Sequence, residues 1–218
     1  MGRPTVVVRS TVIAIGVCYT GLLWLSDLQL DTVAKHVVAL LPALGTGVLA
    51  LWDLVLWRLP LLQRLHRRPR LDGLWQLTLR PSAESHIPPA GNRGPIDAYL
   101  EISQSFWAIH VRELTEESSS RSRALFWERP GGAAVEQLTF LYENDPKAAH
   151  QPRSMRHLGA CTLEVAKRVP TSLEGSYFTD RYTKGDMSGV LVDRSRGYSS
   201  FLEAHTYARG QEGPSEDG

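Results

Sequence analysis

Two long apolar segments open the chain, and a region of short, alternating segments follows them. Residues 10–25 are almost wholly apolar, and residues 37–57 contain a single charged residue, Asp53. At about 1.5 Å of rise per residue, a helix over the second segment is roughly 31 Å long, close to the thickness of the bilayer hydrocarbon. The pattern therefore predicts a hairpin of two transmembrane helices within residues 1–60.

Charged residues around the two segments predict how the hairpin is oriented. Arg3 and Arg9 lie at the start of the chain, five arginines lie between residues 58 and 70, and the loop at 26–36 holds two aspartates and one lysine. Because basic flanks stay on the cytoplasmic side, we expect a multi-pass membrane protein whose N terminus and C-terminal domain are cytoplasmic. Residues 61–71 form a basic juxtamembrane linker that attracts anionic lipid headgroups.

Three features of the hairpin have alternative interpretations. The first segment resembles a cleaved signal peptide, but no small-x-small cleavage site follows it and a second apolar segment comes directly after. Ala39, Ala43 and Gly47 recur at four-residue spacing, which lets helices approach closely, although small residues are also common in membrane helices in general. Asp53 lies near the cytoplasmic boundary, where we expect an interfacial position rather than a buried one.

From Asp72 to Arg209 the apolar segments are short and alternate with polar residues, and Pro, Gly and Ser punctuate them. This pattern predicts eight β-strands, at residues 73–80, 96–103, 106–113, 120–127, 135–142, 155–166, 175–182 and 187–193. Eight short strands in about 140 residues, with no long helix among them, favour a closed up-and-down barrel, which has room for one small ligand. We therefore expect a membrane-anchored all-β protein, with the barrel at 72–209 and a disordered tail at 210–218.

Residues 175–185 carry the most distinctive combination of side chains. On a β-strand, one face would hold Tyr177, Thr179, Arg181 and Thr183. An aromatic ring, a planar cation and two hydroxyls on one face suit stacking on a base and holding a phosphate. From composition alone, an ordinary surface strand with a paired arginine is the other interpretation.

Alternating serines form a second candidate surface. Ser118, Ser120 and Ser122 place three hydroxyls on one side of a strand, which would make a barrel interior roomy and polar. A solvent-facing serine run in a loop is the alternative. Trp107 and Tyr142 lie near strand ends and offer aromatic rings on which bases stack.

Composition narrows the class of function. The formal net charge is +1, so no general attraction to DNA or RNA polymers is expected. Cys18 and Cys161 lie far apart in the sequence, and they form neither a disulfide framework nor a Cys/His metal motif. The sequence lacks the nucleophile elbow, the zinc-protease helix motif and the P-loop. We therefore expect a non-enzyme with no catalytic residues, no metal and no cofactor.

Five short motifs follow the membrane hairpin in a specific order. They are Gly73-Leu74-Trp75, Thr115-x-x-Ser118-x-Ser120-x-Ser122, Tyr142-x-Asn144-x-Pro146, His157-x-Gly159 and Tyr177-x-x-x-Arg181-x-Thr183-x-Gly185. Over nearly its full length, the chain resembles the two-transmembrane, β-strand-rich effector family of bacterial cyclic-oligonucleotide-based antiphage signalling (CBASS) systems. The resemblance rests on the order of these motifs, because each is short by itself.

The resemblance implies a minimal eight-stranded, lipocalin-like barrel that binds a cyclic dinucleotide or cyclic oligonucleotide made by a partner nucleotidyltransferase. Binding is expected to drive homo-oligomerisation through the membrane helices and disruption of the inner membrane, which gives abortive infection. The ligand-binding candidates are Tyr177, Arg181 and Thr183, followed by Ser118, Ser120, Ser122 and Tyr142, with Trp107 as a further aromatic residue. A Pro-rich loop at 82–95 leaves the identity of the nucleotide open.

A dianionic nucleotide needs positive donors in a partly desolvated pocket, and Arg181 with Arg156 or Arg194 would supply them. The rival interpretation is a membrane-anchored carrier or sensor of a lipid or other apolar ligand, whose lumen would be lined by Leu, Val and Phe. The two interpretations differ in whether Arg181 and the three serines face inward.

Overall fold

A computed structural model of the protein describes residues 4–25, 32–87, 89, 91–129, 135–152, 154–194 and 197–211. The chain divides into two compact units, one of Met1–Arg68 with Ser105–Ala108 and the other of Pro69–Gln104 with Ile109–Gly218. Residues 26–31, which carry both aspartates of the predicted external loop, lie outside the described residues, as does Arg3.

Two helices lie in the first unit, where the apolar pattern predicts them. Helix α1 spans Pro4–Leu25 and helix α2 spans Thr32–Leu54. By length and composition, Leu40–Arg58 is long and apolar enough to cross a membrane, whereas the described apolar part of α1 is the shorter Val12–Gly21. Among the described residues there is thus one candidate span, where the sequence predicts two.

Asp53, near the end of α2, is buried among protein atoms, whereas a buried position was not expected from the sequence. Its Oδ1 accepts a hydrogen bond from the backbone N–H of Trp107 at 3.1 Å, and its carbonyl oxygen accepts one from Phe106 at 3.0 Å. The backbone N–H of Trp107 thus supplies a hydrogen bond to this buried carboxylate in place of water.

Eight antiparallel strands form a closed barrel in the second unit. The strands are β1 Gly73–Pro81, β2 Ile96–Gln104, β3 Ile109–Leu114, β4 Ser118–Glu128, β5 Glu136–Pro146, β6 His157–Val165, β7 Ser172–Thr179 and β8 Lys184–Asp193. Each strand pairs with its neighbours in sequence, and β8 pairs with β1 to close the barrel. The predicted eight-stranded up-and-down barrel is confirmed.

Alternation of apolar and polar residues determines which strand faces point into the lumen. On β1, Trp75 and Leu77 are buried in the main apolar cluster, and Gln76 between them is only partly buried. Ile102 and Leu163 join the same cluster from β2 and β6. Because successive side chains of a strand point to opposite faces, alternate residues face the lumen along the regular parts of the strands.

Strand β7 ends at Thr179, three residues before its predicted end. In the turn that follows, the N–H of Tyr182 donates to the Thr179 carbonyl at 3.1 Å, and the N–H of Thr179 donates to the Thr183 carbonyl at 2.8 Å. Tyr182 has a φ of 62°, a left-handed conformation that a strand does not contain. Arg181 and Thr183 are therefore turn residues, and the prediction that they share a strand face with Tyr177 was wrong.

A third helix, α3 at Phe201–Gln211, follows the barrel and is not indicated by the apolar pattern. The N–H of Glu203 donates to Ser200 Oγ at 3.3 Å, and the N–H of Ser199 donates to the Glu203 carboxylate at 2.7 Å. The first bond caps the helix at Ser200, and the second ties Glu203 to the residue before the cap, so the pair resembles a capping box and fixes the start of the helix. Residues 210 and 211, assigned above to the tail, belong to α3, and residues 212–218 lie outside the described residues.

One face of α3 packs on the outside of the barrel. Ala204 and Ala208 are buried in a second apolar cluster with Leu74, Tyr99 and Leu114. These three residues point away from the lumen, so α3 covers apolar surface that β1, β2 and β3 would otherwise expose.

Candidate ligand-binding site

A cavity of about 1240 Å³ opens at one end of the barrel lumen and extends past the mouth to the start of α3. The mouth is formed by the segments that join β1 to β2, β3 to β4, β5 to β6 and β7 to β8, which share one end because neighbouring strands are antiparallel. Ile87, Thr115, Pro152 and Thr183 line the cavity from these four segments. The volume exceeds that of a typical pocket for a drug-sized molecule, so the cavity can take a ligand with several rings.

An apolar floor fills the other end of the lumen. Trp75, Ile102, Leu138 and Leu163 are each at most 1% exposed and belong to one cluster. The ring N–H of Trp75 donates to the carbonyl oxygen of Leu71 at 2.9 Å, so this indole is buried without an unpaired donor. The lumen is therefore packed at one end and open at the other.

A polar wall of the cavity is built on β3, β4 and β5. Strand register sets Glu113 beside Ser120, and Ser120 beside Asn144. Asn144 Nδ2 donates to Ser118 Oγ at 2.8 Å and to Ser120 Oγ at 3.0 Å, and Ser120 also hydrogen-bonds the Glu113 side chain. Burial of the carboxyl group raises the pKa of Glu113 to about 7. The side chain keeps some accessible surface because it borders the cavity.

Two of the three predicted serines line the cavity, and the third does not. Ser118 and Ser120 are lining residues. Ser122 lies at an irregularity in the pairing of β4 with β5, and its Oγ accepts the backbone N–H of Val111 at 3.0 Å. The Ser122 hydroxyl is thus held by the backbone of β3, and Ser122 does not continue the polar wall.

Two tyrosines line the cavity from β5 and β7. Tyr142 lies over Gly159 of β6, where a methyl group would stand 2.5 Å from the tyrosine hydroxyl, so only glycine leaves room for the ring. Burial raises the pKa of both phenols, and the charge of Glu113 raises it further. The pKa of Tyr142 lies far above its ordinary value, and that of Tyr177 is about 12. Both phenols stay protonated at neutral pH and can donate hydrogen bonds.

The turn between β7 and β8 brings Arg181 and Thr183 to the cavity. Thr179 Oγ1 accepts the N–H groups of Arg181 at 3.3 Å and Thr183 at 3.2 Å, which fixes the turn. Arg181 Nη1 donates to Ser154 Oγ at 3.0 Å, and its buried Nε has no hydrogen-bond partner among the described residues. Burial and the Arg181 cation lower the pKa of His157. An arginine with a donor to spare suits an anionic ligand.

Three residues considered in the sequence are not among those that line this cavity. Trp107 belongs to the helical unit and donates its backbone N–H to Asp53. Arg156 forms an ion pair with Glu143. Arg194 donates to the carbonyl oxygens of residues 70, 72 and 170, and its guanidinium lies 5.6 Å from the Trp75 ring centroid. The structure thus brings together six of the eight predicted ligand-binding residues, without Trp107 and Ser122.

Glu113 and Asn144 are polar residues that line the cavity but are not among the predicted ligand-binding residues. Val111 is buried in the lumen, and Glu113 follows it two residues later on the same face. The two-residue spacing from Val111 indicates the inward direction of Glu113, but a carboxylate is not a residue type expected to bind an anion. Among the described residues, no three His, Cys, Asp or Glu side chains are grouped to hold a metal ion.

Comparison with known families finds a match that covers most of the barrel unit. The family model described as Cap15, cyclic dinucleotide receptor domain, matches residues 66–189, which is more than half of the chain. The match contains β1 to β7, most of β8 and the turn with Arg181, and α3 follows it. The comparison with curated proteins gives no match. The match confirms the resemblance to a CBASS effector family, and the chain therefore belongs to the Cap15 family of CBASS effectors.

Proposed function

We propose that the cavity of the barrel binds a cyclic dinucleotide and that binding switches the protein into a membrane-disrupting state during phage infection. The proposal is supported above all by Arg181, which lines a half-open lumen together with Tyr142 and Tyr177. A guanidinium, two neutral phenols and several hydroxyls match a ligand with phosphates and flat bases.

The phosphates and the bases of the ligand have separate partners in the cavity. A phosphate accepts hydrogen bonds from Arg181, whose Nε is unpaired among the described residues, and from the hydroxyl of Thr183. The bases lie against the rings of Tyr142 and Tyr177. A carrier of apolar ligands fits less well, because the open end of the lumen carries a carboxylate, an amide and two serine hydroxyls.

The membrane half of the proposal rests on the N-terminal helices. We propose that α1 is a second span beside Leu40–Arg58, which makes a multi-pass inner-membrane protein with a cytoplasmic barrel, anchored among membrane lipids. Self-association of the helices then disrupts the membrane. Ligand drives this step only as far as it binds the associated state more tightly than the separate one. A partner nucleotidyltransferase makes the ligand.

The first test measures the thermal unfolding midpoint of the full chain in detergent micelles while each member of a panel of cyclic dinucleotides is titrated in. We expect at least one of them to raise the thermal unfolding midpoint, because a ligand of the native state stabilises it by mass action. Arg181→Ala should weaken that binding about 10- to 100-fold, since a hydrogen bond to a charged group contributes about 1.5–3 kcal/mol.

The matched control is Arg121→Ala, which removes an exposed arginine of β4 and should leave the affinity unchanged. If no cyclic dinucleotide shifts the midpoint of the wild-type protein, the proposed function is wrong. Equal affinity of the Arg181→Ala and wild-type proteins would remove Arg181 from the site.

A further inference from the structure

The cavity holds a carboxylate that an anionic ligand does not need. Glu113 is a cavity-lining residue in the middle of the polar wall, between Leu100 of β2 and Ser120 of β4. Close approach of a phosphate to this carboxylate would be repulsive in a partly desolvated site. A buried carboxylate in such a site therefore requires a different part of the ligand as its partner.

Strand order keeps the carboxylate and the arginine apart. In a closed barrel of eight strands, β3 and β7 lie four strands from each other in either direction, on opposite sides of the lumen. Glu113 is on β3, and Arg181 is in the turn that follows β7. The cavity is thus negative on one side and positive on the other, which matches a ligand that directs a phosphate to one side and a base to the other.

The hydrogen bonds around Glu113 leave it an acceptor toward the cavity. Asn144 donates to the oxygens of both Ser118 and Ser120. Since the Ser120 oxygen already accepts from Asn144, its own proton is available for the Glu113 carboxylate. A carboxylate has about four acceptor positions on two oxygens, so one bond from Ser120 leaves both oxygens able to accept from a ligand.

Base edges differ in how well they complement two adjacent acceptors. Guanine presents a ring N–H next to an amino group, which gives two donors side by side. Adenine and cytosine present one amino group next to a ring nitrogen acceptor, and uracil presents one N–H between two carbonyl oxygens. A site built to pair with two donors rejects a base that lacks one, because a buried acceptor is then left unpaired.

We propose that Glu113 recognises the Watson–Crick edge of a guanine, so that the ligand of this protein is a guanine-containing cyclic dinucleotide. The proposal deepens the proposed function and rests on it. Arg181 holds a phosphate, and Glu113 selects the base.

Protonation of Glu113 should make the guanine selectivity depend on pH. Its pKa of about 7 lies within the physiological range, and only the ionised form offers two acceptors to guanine. The titratable groups that face it, Tyr142, Cys161 and Tyr177, all have raised pKa values and stay neutral there. Guanine selectivity of the wild-type protein should therefore fall as the pH is lowered from 8 to 6.

The test compares the affinities of the full chain for cyclic di-GMP and cyclic di-AMP at pH 8, by calorimetry in detergent micelles. We expect the wild-type protein to bind cyclic di-GMP at least tenfold more tightly. Glu113→Gln should weaken cyclic di-GMP binding at least tenfold, and it should leave cyclic di-AMP binding equal or stronger, because an amide offers one donor and one acceptor, as adenine requires. The preference of this variant should not change between pH 8 and 6.

Two further variants keep the result interpretable. Glu116→Gln removes one charge from an exposed lining residue at the mouth, and it should change both affinities by the same factor. Ser120→Ala removes the donor that orients Glu113, and it should reduce the guanine preference even if Glu113→Gln does not fold.

The outcomes separate the two proposals. Wild-type affinities that are equal for both ligands, or equal losses for both ligands in Glu113→Gln, would overturn the role of Glu113 while leaving nucleotide binding intact. A wild-type protein that binds neither ligand nor any other cyclic dinucleotide would overturn the proposed function and this inference together.

Discussion

At the scale of single residues, the carboxyl group of Glu113 makes folding sensitive to pH. Burial raises its pKa from 4.5 to about 7, and each unit of pKa corresponds to about 1.4 kcal/mol. Below pH 4.5 the group is protonated in both the folded and the unfolded chain, and it contributes nothing. Between pH 4.5 and 7 the unfolded chain loses the proton first, so the free energy of unfolding falls, by on the order of 3 kcal/mol in total.

We expect Glu113→Gln to remove this fall in the free energy of unfolding, because glutamine keeps a hydrogen-bond acceptor for Ser120 and carries no charge. The thermal midpoint of the variant should rise above that of the wild-type protein as the pH increases from 5 to 8. Glu164→Gln, at an exposed position of β6, is the matched control. Parallel midpoint curves for the wild-type and Glu113→Gln proteins would contradict the assignment of a buried carboxyl group.

Gly159 is required for a steric reason. A methyl group at this position would lie 2.5 Å from the hydroxyl of Tyr142 and also close to the carbonyl oxygen of Phe178, so the ring would have to move. We expect Gly159→Ala to lower the stability by about 1–3 kcal/mol through overpacking and to weaken ligand binding through the displaced Tyr142.

The control for Gly159→Ala is Gly210→Ala. Gly210 lies in α3, and an added methyl group meets no atom of the described residues within 4 Å. That variant should gain slightly in midpoint, since alanine is the better helix former. Equal midpoints for Gly159→Ala and the wild-type protein, measured by thermal unfolding, would mean that Tyr142 does not occupy the space over Gly159.

At the scale of elements, α3 is an integral part of the barrel unit. Ala204 is fully buried against the outer surface of the strands, in a cluster with Tyr99 and Leu114. Ala204→Glu would bring a charge to this contact, and we expect the thermal midpoint to fall by several degrees because the cluster then opens to water. Thr206→Glu changes an exposed position of the same helix and should have little effect. A similar midpoint for both variants would mean that α3 does not stabilise the barrel.

The sequence predicted the strands far better than α3 or the last turn, for physical reasons. From Trp75 to Leu79, β1 alternates apolar and polar residues, so the strand and its inward face follow from the pattern. The buried stripe of α3 consists of two alanines, which are too weakly apolar to predict a helix from the pattern. The Ser-x-x-Glu spacing of Ser200 and Glu203 is the sequence signal for the start of this helix.

Prediction of the site was limited by turns and irregularities. The positions of Arg181 and Thr183 depend on the left-handed turn at Tyr182, which no simple rule predicts for a tyrosine. Ser122 does not join the polar wall, because its hydroxyl accepts the backbone N–H of Val111, next to an irregularity in β4. Trp107 was assigned to a strand, whereas its backbone pairs with Asp53, a contact between residues far apart in the chain that no local pattern encodes.

At the scale of the whole molecule, the proposed function requires binding and membrane disruption to be separable. The cavity is lined by residues of the barrel unit, whereas the predicted contact face between copies lies on α2. A methyl group added at Gly47 meets no atom of the described residues within 4 Å, so this position is open to a neighbouring copy. The side chain of Ala39 lies outside the described residues, and Ala43 completes the face.

We therefore expect Gly47→Leu to leave cyclic dinucleotide affinity unchanged and to reduce ligand-dependent leakage of dye from liposomes that contain the full chain. The bulkier side chain prevents close approach of small-residue faces in lipid. Gly45→Leu makes the same change two residues earlier, about 200° around the helix, where an added methyl group also meets nothing within 4 Å in the described part of the chain. Leakage at the wild-type level in Gly47→Leu, or an equal loss in both variants, would contradict a specific role of this face. Loss of affinity in Gly47→Leu would instead mean that binding and association cannot be separated.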